Sequence, residues 1–345
     1  MKQKREFEIL GVILNNGPIA ISEIKNKISE SLSIPTLNRE LAKLKLKGNI
    51  QTIGQGASLK YIADLNNLIT AKIDTELYFK IPLDDRKIIT QFNGNIIESL
   101  ANTNVFSKEE RSTLNNLKKE FQKKVRKNSS LQFTKEFERL MIELSWKSSQ
   151  IEGNTYDLLD TEQLLKYNIA TKGHSKEDTQ MLLNHKSAIE YTFKNKDLYS
   201  ELELGNIIDI HTLLTQDMNI SKKLRKRIVR ITGTKYLPPD NEFIIRESLE
   251  KFCIMINQKQ CEFEKSFLTI LLLSYIQPFE DGNKRTARLT ANAILMSYNN
   301  CPLSYRNILP ADYKKAILLF YELNNLSAFK EIFMNQYKFA VENYF

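Results

Sequence analysis

Chemistry in this chain concentrates in one run of twelve residues, Gln277-Pro278-Phe279-Glu280-Asp281-Gly282-Asn283-Lys284-Arg285-Thr286-Ala287-Arg288. An apolar helical run, Phe267 to Ile276, precedes it and a second helix-like segment, Arg288 to Tyr298, follows, so the run reads as a tight loop at a helix N-terminus. Such an end presents unpaired N–H groups and a partial positive charge. Gly282 lets backbone approach a ligand closely, and Asn283, Lys284, Arg285 and Arg288 add donors and charge. The expected ligand is a polyphosphate. Asp281 is the carboxylate placed where a Mg²⁺ bridging phosphate oxygens needs a hard oxygen ligand. The plainer alternative, a basic helix start with no ligand, must explain why cations gather against the helix dipole.

The run resembles the signature of the Fic family, His-Pro-Phe-x-Asp/Glu-Gly-Asn-Gly-Arg-x-x-Arg, and departs from it at two places. The resemblance implies transfer of AMP from ATP to a Ser, Thr or Tyr hydroxyl of a target protein. It assigns Mg²⁺ to Asp281, the α- and β-phosphates to Asn283 and Arg285, and the γ-phosphate to Arg288, with Gly282 and Lys284 in the same nucleotide-binding run. Gln277 stands where the family has its general-base histidine. A glutamine amide orients groups but has no useful basicity near neutral pH, and loss of a general base costs about 10²–10⁴-fold in rate. Lys284 replaces the second glycine of the signature, which is similar to the phosphate-transferring death-on-curing (Doc) toxins. Those toxins keep the histidine, so neither active pattern covers this site in full.

A second stretch bears on the first. Within 133–154, Phe137, Met141, Leu144, Ser148 and Glu152 recur at spacings of four, three, four and four and share one helical stripe. A carboxylate ending a buried stripe without a partner costs on the order of several kcal/mol, so the helix end is exposed or a cation faces Glu152. Ser148-Ser149-Gln150-Ile151-Glu152-Gly153-Asn154 resembles the inhibitory motif of Fic proteins, Ser/Thr-x-x-x-Glu-Gly/Asn. By that resemblance Glu152 pairs with Arg288 and displaces the γ-phosphate, leaving an autoinhibited site.

The elements that must position these residues follow from the rest of the chain. With 345 residues and 42% hydrophobic content, the chain is long enough for two domains with real cores. It shows no signal segment at Met1 and no apolar run of about 18 residues, so a soluble, cytoplasmic protein without membrane attachment is expected. Cys253, Cys261 and Cys301 fit neither a disulfide framework nor a metal spacing and read as buried thiols. Residues 1–62 read as helix, helix-turn-helix and hairpin: a first helix ended by Asn15-Asn16-Gly17-Pro18, a second from Ser22-Glu23, a third from Pro35 to Lys47, and strands flanking Gly54 to Ser58. This order resembles a winged helix-turn-helix. Leu37, Leu41 and Leu44 share one face of the third helix, leaving Arg39 and Lys43 toward a DNA groove or, equally, toward solvent or a partner protein. The segment holds 10 Lys+Arg against 5 Asp+Glu.

Residues 63–85 read as connector and 86–345 as the Fic-type domain, with helices expected at Lys87–Leu100 and Lys108–Lys127, the inhibitory helix at 133–154, and closing helices at Ala311–Leu323 and Phe329–Tyr344. His174 and His185, in polar or mixed surroundings, read as structural. His211, in an apolar helix, reads as a core residue, with a proton-handling role as the alternative. Ile228 to Ile231 and Lys235 to Leu237 flank the turn at Thr232-Gly233-Thr234. This resembles the family's flap, a β-hairpin including Ile231 that holds a target segment by strand addition. The basic run Lys222, Lys223, Arg225, Lys226 and Arg227 before it suits an acidic target segment or a solvated face.

The fold expected is mainly α: a Fic-type helical bundle with a small flap hairpin and an N-terminal winged helix. Three functions compete. The first is an autoinhibited, ATP- and Mg²⁺-dependent AMP-transferase weakened at Gln277; the second is a catalytically degenerate, nucleotide-sensing DNA-binding regulator; the third is a different transfer or AMP removal, including Doc-like phosphotransfer. A homo-oligomer is compatible with each.

Overall fold

The computed structural model describes residues 2–345. Its elements divide between two compact units. The first comprises residues through Gln91 together with 231–236 and 315–329. It begins with α1 (Lys2–Asn16), α2 (Ile21–Lys27) and α3 (Ile34–Leu46), followed by the antiparallel pair β1 (Ile50–Ile53) and β2 (Lys60–Ala63), registered Ile50 to Ala63 and Ile53 to Lys60. The apolar spacing of α1 buries Ile9, Leu10, Ile13 and Leu14 on one stripe. It stops at Gly17, where a Cβ would come within 2.7 Å of the Ile13 carbonyl oxygen. Ser33 caps α3 by accepting from the Thr36 N–H at 3.4 Å, and Leu37, Leu41 and Leu44 close the core beneath it. Ile19 exchanges backbone hydrogen bonds with Tyr61, adding a one-residue bridge to the edge of β2.

Residues 63–85, expected as connector, carry a short helix, α4 (Thr75–Phe79), capped by the Asp74 side chain. The helix expected from Lys87 begins only at Asn95. Ile89 instead donates its N–H to the Glu322 carbonyl at 2.8 Å, which holds this stretch extended.

The second unit comprises 92–230, 237–314 and 330–345. Its helices are α5 (Asn95–Ala101), α6 (Lys108–Lys127), α7 (Ser130–Ile151), α8 (Leu158–Tyr167), α9 (Lys176–Lys194), α10 (Leu204–Leu214), α11 (Glu242–Gln258), α12 (Glu262–Ile276) and α13 (Asn283–Ser297). The remaining helices, α14 (Pro310–Leu323) and α15 (Ser327–Asn343), contribute residues to both units. Capping boxes start α6 (Ser107 with Glu110) and α7 (Ser129 with Gln132). Helix α12 is buried on every side from Phe263 to Ile276, as its continuous apolar run requires, and packs against α13, where Ser266 donates to the Ala291 carbonyl at 3.0 Å. These two buried helices are the frame on which the loop 277–282 is hung.

The flap differs from expectation. The turn forms at Thr232-Gly233, with Gly233 at φ +90°, but the arms 228–231 and 235–237 do not pair as strands; the sheet of the described residues is β1 with β2 alone. A lone two-stranded ribbon is marginal in water, and this turn is tied elsewhere: Arg86 donates to the Gly233 carbonyl at 3.1 Å and Lys235 to the Asp84 carbonyl at 2.9 Å.

Within the first unit, Glu322 is fully buried between two donors, the Tyr78 hydroxyl at 2.6 Å and Arg86 Nη1 at 3.2 Å. Burial and the neighbouring carboxylate push the Tyr78 phenol well up, so it remains the donor. Removing the shared acceptor strands a buried hydroxyl and a nearly buried cation. Glu322→Ala should therefore lower unfolding free energy by about 3 kcal/mol in urea titration, and Glu322→Gln, which still accepts from Tyr78, by clearly less. Equal midpoints for wild type and Glu322→Ala would remove this cluster from the account.

Candidate active site

The loop joining α12 to α13 is built by backbone reversals at both ends. Gln277 caps α12 in the left-handed region at φ 50°, and Gly282 caps α13 at φ 80°. A glycine suits the second reversal because its positive φ strains other residues, and a Cβ there would also crowd Thr215 at 3.3 Å. With no capping side chain at Gly282, the N–H groups of the first turn of α13 are left without side-chain acceptors from the cap, the arrangement suited to an anion.

The polar and basic residues at the start of α13 divide into different tasks. Asn283 turns back on the loop, donating to the Phe279 carbonyl and accepting from the Phe279 N–H, both at 2.8 Å. Its amide braces the loop rather than reaching outward toward a phosphate. Arg285 is buried, donating to the Leu214 carbonyl at 3.4 Å and lying 3.6 Å from the Asp281 carboxylate. Burial lowers its pKa, opposed by the charges of Asp281 and Glu152. The Asp281 side chain is 68% exposed at the loop tip. Among the described residues no cluster of three or more His, Cys, Asp or Glu stands ready for a metal. Asp281 alone therefore fits a hard cation that brings most of its oxygen ligands with it, as a Mg²⁺ on a polyphosphate does.

Arg288 and Lys284, one helical turn apart, converge on Glu152. Arg288 Nη2 lies 2.9 Å from Glu152 Oε1, and Lys284 Nζ lies 3.5 Å from Glu152 Oε2. Arg288 also donates from Nε to Ser148 Oγ at 2.9 Å and from Nη2 to the Ser148 carbonyl at 2.8 Å, with the Tyr313 ring 5.3 Å away. Burial disfavours the charge on Arg288, but Tyr313 and Glu152 more than offset it and raise its pKa. Burial would likewise raise the Glu152 carboxyl. The charges of Arg288 and Lys284 win and hold it below the usual range, so it is ionised at neutral pH. Glu152 occupies the C-cap of α7, and the chain then reverses through Gly153 at φ +104°. Asn154 next ties it to α9 by donating to the Asp178 carbonyl at 2.9 Å. Of the two alternatives left by the apolar stripe of α7, an exposed end or a facing cation, the structure has the cation, twice over.

Two histidines complete the site. His185, expected in polar or mixed surroundings, is fully buried on α9 with Nε2 2.9 Å from Ser148 Oγ, and burial with the charges of Arg285 and Arg288 depresses its pKa to about 3. His211, on α10, is buried, stacks on Phe279 at 3.6 Å between ring centroids, and contacts the Asp281 carbonyl through Nε2 at 3.0 Å. Since a carbonyl only accepts, Nε2 carries the proton. Burial depresses this imidazole to about 4. Both rings are neutral at pH 7.

Gln277, read from the sequence as standing where a general base is expected, donates from Nε2 to the Ser274 carbonyl at 2.6 Å, so its amide finishes α12. Its own carbonyl accepts from Arg225 Nε at 2.6 Å. Arg225 is the functional residue that composition hid. Read as one member of a basic run, it is instead 1% exposed, and it holds the start of the loop: its N–H donates to the Pro278 carbonyl at 3.0 Å and Nη2 to the Pro239 carbonyl at 2.6 Å. The signal available was its place between Leu224 and the prolines, which is faint. The structure brings together Ser148, Glu152, Lys284, Arg285 and Arg288, with Asp281, Gly282 and Asn283 on the adjoining loop. Arg39 and Lys43 lie apart on α3, 62% and 41% exposed and both ion-paired to the buried Glu40.

The site is thus a loop between two buried helices, with a carboxylate paired to the basic residues of the second helix. The Fic/DOC family model matches residues 201–295. A protein adenylyltransferase Fic of Nematostella vectensis is 30% identical over 166 residues, covering 47% of this chain and 39% of the relative, and one of Aedes aegypti is 28% identical over 160 residues, covering 44% and 31%. The chain thus spans well under half the length of these curated relatives. Among solved structures, Fic-1 from C. elegans superposes with TM-score 0.58 at 19% identity over 68% of this chain and 71% of that one. A Fic domain containing signaling protein from Bacteroides thetaiotaomicron VPI-5482 gives 0.55 at 20% identity over 67% and 94%. Together these matches support a Fic-family protein.

The buried neutral histidines make stability depend on pH. An unfolded histidine titrates near 6.5, whereas these titrate near 3 and 4 in the fold, so across that window the unfolded chain binds more protons. The stabilisation is full above pH 6.5 and is lost as pH falls toward 4. Urea unfolding should lose about 1 kcal/mol per pH unit for each histidine at the steepest point, and His185→Asn should flatten that slope even if it lowers the plateau. An unchanged slope in His185→Asn would mean that His185 is not held neutral.

Proposed function

We propose that this chain transfers AMP from ATP to a protein hydroxyl, in a form held off by Glu152 and weakened at Gln277. The observation that carries the reading is the 2.9 Å pair between Glu152 and the buried Arg288, set beside a helix N-terminus capped by glycine. Arg288 and Lys284 would receive the terminal phosphate once Glu152 withdraws. Arg285 and the first N–H groups of α13 would take the inner phosphates, and Asp281 would hold a Mg²⁺ delivered with the nucleotide and supplying charge neutralisation there. Asn283, by bracing Phe279, would keep the N–H groups aimed. The target is a Ser, Thr or Tyr side chain. At Gln277 no proton acceptor is available, which leaves positioning and electrostatics.

A second reading, a nucleotide-sensing regulator, is favoured by one observation: the Gln277 amide is engaged with the Ser274 carbonyl and points to helix closure rather than catalysis. In this reading residues 1–62 act as a winged helix-turn-helix, with Arg39 and Lys43 facing DNA phosphates. Both contacts would have to be drawn from Glu40. A Doc-like phosphotransfer is the remaining use of Lys284. Its pairing with Glu152 gives that residue a role in closure without invoking phosphate transfer.

Transfer of label from α-³²P-ATP with Mg²⁺ separates these readings. Wild type should label weakly or not at all, Glu152→Gly should label slightly more, and Glu152→Gly with Gln277→His should gain about 10²–10⁴-fold over Glu152→Gly. A double variant that binds ATP yet stays inert would favour the regulator, and salt-dependent DNA binding by wild type would then be required. Label arriving only from γ-³²P-ATP would favour phosphotransfer.

A further inference from the structure

At the far end of α7 from Glu152 lies a cavity of about 320 Å³ whose walls come from α6, α7, α9 and α13. Phe137 and Glu152 are separated by fifteen residues, roughly 22 Å along a helix axis, so the cavity is distinct from the phosphate cradle. Its floor is aromatic. Phe137 meets Phe193 at 4.1 Å between centroids, Phe133 and Phe137 lie nearly parallel at 6.3 Å, and each of the three rings is only half-buried. An incoming ring can extend this offset stack while covering apolar surface now facing water.

The rim is basic. Arg126 is exposed and, among the described residues, makes no ion pair or hydrogen bond, while Lys196 donates to the neutral Asn299 side chain at 3.0 Å. Among the described residues lining the cavity no side chain carries a carboxylate to balance either charge. A neutral guest would leave both cations as they are; an acid would pair with Arg126 at the mouth with its ring below. The volume sits at the lower end of small-molecule sites, which run roughly 300–1,000 Å³. We propose that this cavity binds a small aromatic organic acid, one ring system carrying a single carboxylate or sulfonate, held by ring stacking on Phe137 and Phe193 and by charge at Arg126.

The test uses the full chain and two probes, the aromatic sulfonate 1-anilinonaphthalene-8-sulfonate, read by fluorescence, and 1-naphthoate as its competitor. The proposal expects one saturable site, displacement by 1-naphthoate, and displacement by the uncharged 1-naphthamide at about tenfold higher concentration. Arg126→Glu, a surface change outside the cradle, should weaken the sulfonate about tenfold, and Val125→Trp, which fills the cavity from its wall, should abolish the signal. Equal affinity in Arg126→Glu and wild type, equal potency of the acid and its amide, or absence of a saturable site would each overturn it. So would self-association lost in Val125→Trp, because the cavity would then belong to a second copy of this chain.

Discussion

A guanidinium buried as completely as that of Arg288 needs a partner anion and hydrogen-bond acceptors, and Glu152 with Ser148 supplies them at Nε and Nη2. The constraint propagates outward. Ser148 must stand where α7 passes α13, so its carbonyl and hydroxyl both face Arg288, and the hydroxyl also meets His185 on α9. Glu152 must end α7 at that point, so the chain turns at once through Gly153 and is retied by Asn154. Three helices are thereby registered on one charge pair. Lys284 adds a second cation to the same carboxylate, which makes the closed arrangement depend on both oxygens of Glu152.

The loop beside this pair is held by groups that use no bound ligand. Arg225 grips its first carbonyls, Asn283 clips Phe279 from both sides, and His211 stacks beneath and donates to Asp281. The loop is thus preorganised by its own side chains, without using Glu152. In the function proposed, inhibition and phosphate binding are two occupants of the same cations, and Gln277 is a separate deficit in proton transfer.

Helix spacing made much of the fold legible. The α6 boundaries follow from its charged amphipathic run, and a carboxylate ending an apolar stripe calls for an exposed helix end or a facing cation at Glu152, whereas Arg288 as that cation comes from the resemblance of the two motifs. Arg225 and the burial of His185 escaped reading for one reason: the side chain's partner lies far away in sequence. Arg225 looked like its basic neighbours until its carbonyl acceptors at 276–278 were in place. His185 reads as structural from the sequence, but its full burial needs the fold, which brings Ser148 from 37 positions earlier in the chain. That the amide of Asn283 clips Phe279 was not legible, because spacing reveals a residue's neighbourhood and not the direction of its amide. The flap strands failed similarly, since alternation in 228–237 says nothing of the competing acceptors that hold its turn.

The central claim is that Glu152 and the terminal phosphate of a nucleotide compete for Arg288 and Lys284. Calorimetric affinities of Mg²⁺-bound ATP and ADP, compared in wild type and in Glu152→Gly, test it most directly. The account predicts nearly equal affinities in wild type, where the cations are taken, and a preference for ATP of about tenfold once Glu152 is removed. An ATP-to-ADP ratio that Glu152→Gly leaves unchanged would contradict it, because the carboxylate would then be a structural pair and nothing more.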